Sequence, residues 1–470
     1  MKVEQMYTGC LAEAAYYIES NGEVAIVDPL REPDPYIQKA ASEGAKIKYI
    51  LETHFHADFV SGHLELAAKT GATIVFGPTA QPGYAALVAK DEEELQIGDI
   101  KIKVLHTPGH TMESCCFLVK DENDKEYGII TGDTLFIGDV GRPDLAIKGN
   151  VTQEVLAGYL YDSLHDKILT LDDDVIVFPG HGAGSACGKN MSKETTDSLG
   201  NQKKTNYALQ AKTRDEFIDK VLTGLVAPPQ YFPKNAVLNK MGYGKIDDVY
   251  EKGLKGLNPL EFKTAAEETN ALVLDLRAAQ EFCKGFIPNS WNIGLEGSFA
   301  SWAGTLITDL EQPILLVGEE SKIKEAITRL SRVGYDNTLG YLIGGIAAWQ
   351  ADGNEVETIT SISASEFAET FQKNPEINVL DSRKKSEYDS EHVVGVSNFP
   401  LDFVHQNLAE LDPEKTYYIH CASGYRSMVI SSILKSKGYN NLIEIAGGFK
   451  AIKETGKLEL TDYICPTTLL

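Results

Sequence analysis

Apolar residues in the first half of the chain fall into short β-branched runs that alternate with helical patterns. GEVAIVDPL (22–30) reads as a strand, PDPYIQKAASEGA (33–45) as a helix, and AKIKYILETH (45–54) as a strand ending in histidine. KIKVLHTPGHT, CCFLV, YGIITGD and DDVIVFPGHG continue the series, each run closing in a polar or glycine-containing turn. Segment 225–256 is proline-rich without a clean period, and it reads as the end of one domain and the crossing to the next.

Beyond that crossing the pattern repeats. VLDLRAAQEFCKGFIPNSWNI (273–293) lines up with VLDSRKKSEYDSEHVVGVSNF (379–399). Asp275 matches Asp381, Arg277 matches Arg383, Glu281 matches Glu387 and Asn292 matches Asn398, all at an offset of 106. Gly344-Gly345 matches Gly447-Gly448 at 103, so a loop between differs by about three residues. The matched residues are polar rather than merely periodic, which separates a true repeat from two generic strand–helix units. The expected domains are 1–225, a linker 226–256, two copies of one α/β unit at 257–356 and 361–458, and a tail 459–470. Strand–helix alternation in each copy implies a parallel sheet.

Composition narrows the class. The chain has 470 residues, 43% hydrophobic and 24% charged, as an ordinary globular protein has. Its net charge of −24 argues against nucleic acid and anionic membrane as partners, since both are bound through Lys and Arg. No apolar run approaches the ~20 residues of a membrane-spanning helix, and MKVEQMYTGC has no signal-peptide core. Seven cysteines without a CxxC pair do not make a disulfide framework, so a cytoplasmic location with reduced thiols is expected.

Candidate chemistry gathers at strand ends of the first domain. THFHAD supplies His54, His56 and Asp58; TPGHT, TGDT and PGHG supply His110, Asp133 and His181. Ligand-type side chains fixed by a rigid sheet are what a metal centre needs. These motifs resemble the metallo-β-lactamase superfamily, whose dinuclear hydrolases carry H-x-H-x-D-H. Here Phe59 follows Asp58, so the last histidine is absent and a mononuclear centre is expected. The closer resemblance is to persulfide dioxygenases, and it implies one Fe(II) per chain on His54, His110 and Asp133. Two imidazoles and one carboxylate form the facial triad of non-haem iron oxygenases, although zinc accepts the same donors. His56, Asp58 and His181 then orient ligands or substrate, or simply make structural hydrogen bonds. In IGDVGRPDL, the resemblance assigns Arg142 to the acidic part of the carrier thiol; a surface ion pair with Asp139 or Asp144 is an equally weighted reading. Cys187, six residues beyond His181, can relay sulfur or be an inert small residue.

The second copy holds a different site. The apolar run YYIH leads into Cys421, Ala422, Ser423, Gly424, Tyr425 and Arg426, and a helix follows at once. Such a loop aims N–H groups and the positive helix end at one point, drives a cysteine towards thiolate, and lets Arg426 add donors for an anion. It resembles the persulfide-carrying loop of rhodaneses, and its C-x4-R spacing is one residue shorter than that of cysteine phosphatases. In the first copy Gly318 stands opposite Cys421, followed by Glu319 and Glu320, so that copy is expected to be silent.

The whole chain resembles fusions of a persulfide dioxygenase with one inactive and one active rhodanese domain. The implied fold is α/β: a metallo-β-lactamase αββα sandwich, then two rhodanese-like domains with parallel sheets. The implied activity oxidises a low-molecular-weight thiol persulfide with O2 to sulfite, then converts sulfite and persulfide to thiosulfate through Cys421. The resemblance favours a homo-oligomer. A zinc thioesterase like glyoxalase II, joined to sulfur-carrying repeats, is the rival; a sulfur-sensing scaffold is the non-enzymatic one. Phe59 argues against the first, and Cys421 with Arg426 against the second.

Overall fold

The computed structural model describes residues 1–145 and 151–465. It divides into two compact units, Met1–Ile246 with Leu330–Gly334, and Asp247–Arg329 with Tyr335–Leu470.

The first unit is a sandwich of two six-stranded sheets. One sheet runs, edge to edge, through Lys2–Thr8, Glu13–Ser20, Glu23–Val27, Lys46–Glu52, Thr73–Phe76 and Leu87–Val88. The other runs through Asp197–Ser198, Ile176–Pro179, Glu126–Gly132, Cys115–Lys120, Ile100–His106 and Glu94–Ile97. Successive side chains of a strand face opposite ways, so a strand buried on both faces must be apolar throughout. Tyr16 and Ile18 accordingly join Val104, Phe117 and Ile130 between the sheets, whereas Ala15 and Tyr17 pack outward against Tyr36 and Ala40 of the helix Asp34–Ser42. Cys115 and Phe117 face inward in the same way, and Cys116 and Leu118 face Leu160 of the helix Gln153–Ser163. Helices on both outer faces complete the αββα layering.

The second unit contains two five-stranded sheets with one strand order. The first is Gly256–Leu257, Thr338–Leu342, Ile314–Val317, Leu272–Asp275 and Trp291–Asn292; the second is Thr360–Ser363, Leu442–Ala446, Tyr417–His420, Asn378–Asp381 and Ser397–Asn398. Every pairing in both is parallel.

Two boundaries differ from the sequence expectation. Residues 226–256 are not a bare linker: they hold helices Phe232–Met241 and Ile246–Gly253. Pro233 sits in the first turn of its helix, where a missing N–H costs nothing. That helix belongs to the first unit, because Asn239 donates from Nδ2 to His56 O and Phe59 O, each at 2.7 Å. The tail is also engaged: Thr461 N donates to His392 O and Ile464 N to Ser390 O, both at 2.9 Å. Tail residues 466–470 lie outside the described residues.

Candidate metal centre and sulfur-carrying loop

His54 follows the strand Lys46–Glu52, Asp133 follows Glu126–Gly132, and His110 lies in the turn between Ile100–His106 and Cys115–Lys120. The structure brings these three together, fully buried, with one donor atom of each within 4.8 Å of the others. Hydrogen bonds fix which nitrogen each imidazole offers. Thr53 gives its hydroxyl proton to Asp28 Oδ2 at 2.8 Å, so it accepts from His54 Nδ1 at 3.0 Å. His110 Nδ1 lies 2.9 Å from the carbonyl of Arg142, which can only accept. In both rings the Nδ1 proton is therefore committed, and Nε2 carries the lone pair. Burial, with His56, His110 and His181 close by, pushes His54 well below its ordinary pKa, which keeps it neutral. Both oxygens of Asp133 are buried without a hydrogen-bond partner. A bare carboxylate facing two imidazole lone pairs fits a divalent cation.

A second group lies alongside, formed by Asp58, His181 and Cys187. His181 Nε2 is 3.2 Å from Asp58 Oδ2 and 3.4 Å from Asp133 Oδ1, and its Nδ1 is 3.1 Å from Ala12 O. Burial works to lower the His181 pKa, but Asp133 and Asp58 outweigh it and raise it. Burial, then Asp58 and Asp133, push the Cys187 thiol well up, so it is protonated. Phe59 is fully buried and stands 4.3 Å, ring to ring, from His56.

His56 turns to a third group that sequence reading missed. Its Nε2 is 3.0 Å from Asp28 Oδ1 and 3.5 Å from Glu52 Oε2, and these carboxylates, against the cost of burial, push it up to about 10. His63, buried at 3.5 Å from Glu52 Oε1, extends this network. The available signal was Asp28 at a strand end and Glu52-Thr53 immediately before His54.

Arg142 corrects the surface ion-pair expectation. It pairs with Asp144 at 2.7 and 2.6 Å, but from a buried position, and it also donates to Ala186 O and Val226 O. Asp139 instead accepts from the N–H groups of Lys189 and Asn190.

In the second unit, Cys421 follows the strand Tyr417–His420, and its loop turns at Gly424 into the helix Tyr425–Ser436. Gly424 adopts φ +103°, a conformation that glycine alone adopts freely, and its N–H donates to Cys421 Sγ at 3.1 Å. Ala422 is half-buried and Ser423 exposed. The loop is held from behind by the turn Gly447-Gly448, where Phe449 N donates to Cys421 O at 2.6 Å and Lys450 N to Ala422 O at 3.1 Å. A Cβ at Gly448 would lie 2.4 Å from Cys421 O. Arg426 does not present a free fork to the loop: its terminal nitrogens donate to Glu387 at 2.5 and 2.8 Å.

In the first copy, Leu276 stands where the second has Ser382, each N–H donating 2.8 Å to the matching strand carbonyl. The Leu276 side chain closes over Gly318, whose added Cβ would meet Leu276 Cβ at 3.1 Å. Small Ser382 leaves Cys421 that space.

Fold and sites together define a metal-binding α/β enzyme joined to a repeated α/β domain whose second copy carries the Cys421 loop. Residues 8–181 match the metallo-beta-lactamase superfamily, and residues 258–352 and 363–455 each match the rhodanese-like domain. A probable metallo-hydrolase of Bacillus subtilis is 32% identical over 202 residues, which is 39% of this chain and 90% of that protein. A hydroxyacylglutathione hydrolase of Dictyostelium discoideum is 28% identical across 54% of this chain and 91% of its own. A probable hydroxyacylglutathione hydrolase of Schizosaccharomyces pombe is 32% identical over 37% of this chain, which spans 66% of that protein. The crystal structure of a metallo-beta-lactamase from Staphylococcus aureus superposes with a TM-score of 0.63 at 33% identity, covering 73% of this chain and 98% of its own. The chain belongs to the metallo-beta-lactamase superfamily and carries two rhodanese-like domains behind that fold. No helix among the described residues is long and apolar enough to cross a membrane.

Proposed function

We propose that the chain oxidises a low-molecular-weight thiol persulfide with O2 to sulfite and free thiol, and that Cys421 then converts sulfite and a second persulfide to thiosulfate. One O2 and one water per terminal sulfur give sulfite, the thiol and two protons, so no further reductant is required. Phe59 carries this reading: beside His54, His110 and Asp133 it removes the imidazole on which the two-metal hydrolases of the superfamily depend. The Cys421 loop in the same chain supports it.

An Fe(II) ion on His54 Nε2, His110 Nε2 and Asp133 would supply the O2 chemistry and a place for the terminal sulfur. The chain's own contribution is orientation. Thr53 and the Arg142 carbonyl hold the two imidazoles in the tautomer that exposes Nε2. Buried Phe59 and Phe136 keep the surroundings dry. At the second site the Cys421 thiolate attacks the terminal sulfur of a persulfide and expels the carrier thiolate. Sulfite then takes that sulfur and the cysteine thiolate is regenerated, with Gly424 N–H placed to stabilise sulfur anion throughout. Cys10, Cys115, Cys116, Cys187, Cys283 and Cys421 are free thiols, which suits a cytoplasmic setting. The net charge of −24 disfavours nucleic acid or anionic membrane as partner, and a homo-oligomer belongs to the same reading.

The hydroxyacylglutathione hydrolase relatives favour a second reading, a zinc thioesterase, in which Asp58, His181 and Cys187 hold a further ion. Metal analysis of anaerobically purified protein, with O2 uptake on adding glutathione persulfide, separates the two. One iron per chain and one O2 per persulfide support the dioxygenase. Two zinc ions, hydrolysis of an acyl-thioester and no O2 uptake overturn it.

A further inference from the structure

The silent first copy reaches into the neighbourhood of the Cys421 loop through two separate tethers. In the first, Tyr425 Oη donates to Gly294 O of the first copy at 2.8 Å, and the ring lies on Gly297. In the second, Gln280 Nε2 of the first copy donates to Glu444 Oε2 at 3.2 Å. The other oxygen of Glu444 accepts from Ser427 Oγ at 3.0 Å, in the first turn of the same helix.

The helix is also docked along its length. Asn292 N–H donates to Ser432 Oγ and Trp291 Nε1 to Ser436 Oγ, both at 2.9 Å. Residues 425, 432 and 436 form one stripe, since positions i, i+7 and i+11 share a helix face. The residue that opens this stripe, Tyr425, directly follows Gly424, whose N–H meets Cys421 Sγ. A slide or rotation of the helix therefore moves the donor that faces the sulfur. Loss of Gly318 as a nucleophile position leaves every one of these contacts intact, because they come from residues 280 and 291–297.

We propose that the first copy is a positioning partner of the Cys421 loop, acting through Tyr425, and not a spacer. The inference rests on the reading of Cys421 as the sulfur-carrying thiol. If that reading fails, the unsubstituted chain transfers no sulfur, whereas the thiol's reactivity still reports the loop.

Gly297→Val in the full chain tests it, because the change lies wholly in the silent copy. A Cβ there would meet Tyr425 Cε2 at 2.6 Å, so the ring must move. The readout is iodoacetamide alkylation of the Cys421 peptide across pH, followed by mass spectrometry, alongside kcat and KM for thiosulfate-to-thiol transfer. The expected result is severalfold slower alkylation at neutral pH, an altered alkylation profile across pH, and a fall in kcat larger than any change in KM. Tyr425→Phe, which removes only the hydroxyl donor, shifts the profile the same way and decides the matter if the valine variant does not fold. Gly285→Ala, in the same copy, where an added Cβ would come no closer than 3.7 Å to Gln350 Nε2, matches the unsubstituted chain. A folded Gly297→Val protein with the unsubstituted alkylation profile and kcat overturns the proposal.

Discussion

Asn292 and Asn398 make the same pair of hydrogen bonds in the two copies. Asn292 Nδ2 donates to Asp275 O at 3.1 Å and Arg277 O at 2.8 Å; Asn398 Nδ2 donates to Asp381 O at 3.0 Å and Arg383 O at 2.9 Å. Each arginine in turn grips its aspartate, Arg277 on Asp275 and Arg383 on Asp381. The polar residues shared by the copies thus form a scaffold that ties two strand ends together, independently of sulfur chemistry. Replacing Asp381 by Ala leaves Arg383 buried without its counter-charge, and a loss of about 3–5 kcal/mol is expected. Chemical denaturation measures it.

The candidate metal donors predict separable losses. His110→Ala or Asp133→Ala removes a neutral donor or the one carboxylate of the triad, so bound metal and persulfide-dependent O2 uptake are lost together. Thiosulfate-to-thiol transfer by Cys421 persists in the same preparations. Elemental analysis and an oxygen electrode read both, and wild-type iron in Asp133→Ala would refute the ligand assignment.

On the proposed reaction, removing the Cys421 thiol alone changes the product. In Cys421→Ser, O2 uptake stays near the unsubstituted rate while thiosulfate gives way to sulfite, because a serine hydroxyl does not carry a terminal sulfur at neutral pH. Derivatisation and chromatography of the products check it. Persistent thiosulfate would move the second transfer elsewhere, with Cys187 the next thiol to substitute.

The Arg426–Glu387 pair sets a pH signature. Burial opposes ionisation of Glu387, yet Arg426 holds its carboxyl below the ordinary 4.5. A lowered folded pKa means that the pair's contribution is complete above that ordinary value and fades as pH falls through the folded one. The Tm gap between the unsubstituted chain and Glu387→Gln should therefore be widest at neutral pH and close on acidification below about 4.5. A gap that is constant with pH would show that the charge is not its source.

Gly448 has φ +59° and no room for a side chain against Cys421 O. Gly448→Ala is expected to cost about 1–3 kcal/mol and to depress sulfur transfer, since the strain falls on the loop itself. Thermal unfolding and transfer assays report the two effects.

Sequence reading reached the repeat and the cluster of His54, His110 and Asp133 for a physical reason. Asp, Arg and Asn at a constant offset reflect side chains that bond within one short loop, so their spacing survives in the chain. His54 and Asp133 stand just past strand ends and His110 in a turn, and a glycine immediately before His110 and Asp133 marks those two. What stayed hidden depends on contacts between distant segments. Tyr425 meets Gly294 131 residues away, and Asn239 meets His56 183 residues away, with no local pattern to announce either. The helix Phe232–Met241 was masked because Pro233, with Pro228 and Pro229 just before it, reads as a breaker, although a first-turn proline starts a helix. For Arg142 a surface ion pair stayed open beside a role toward the thiol, because no spacing reveals that it is buried and donates to Ala186 O and Val226 O.

Leu276 over Gly318 gives the two copies different loop mouths. A cysteine Cβ at 318 would lie 3.1 Å from Leu276 Cβ, so the leucine must yield by a few tenths of an ångström for a thiol to enter. A thiol placed at 318 would therefore sit in a tighter setting than one beside the small Ser382, and a smaller residue at 276 would loosen it only by opening a cavity in a packed sheet end.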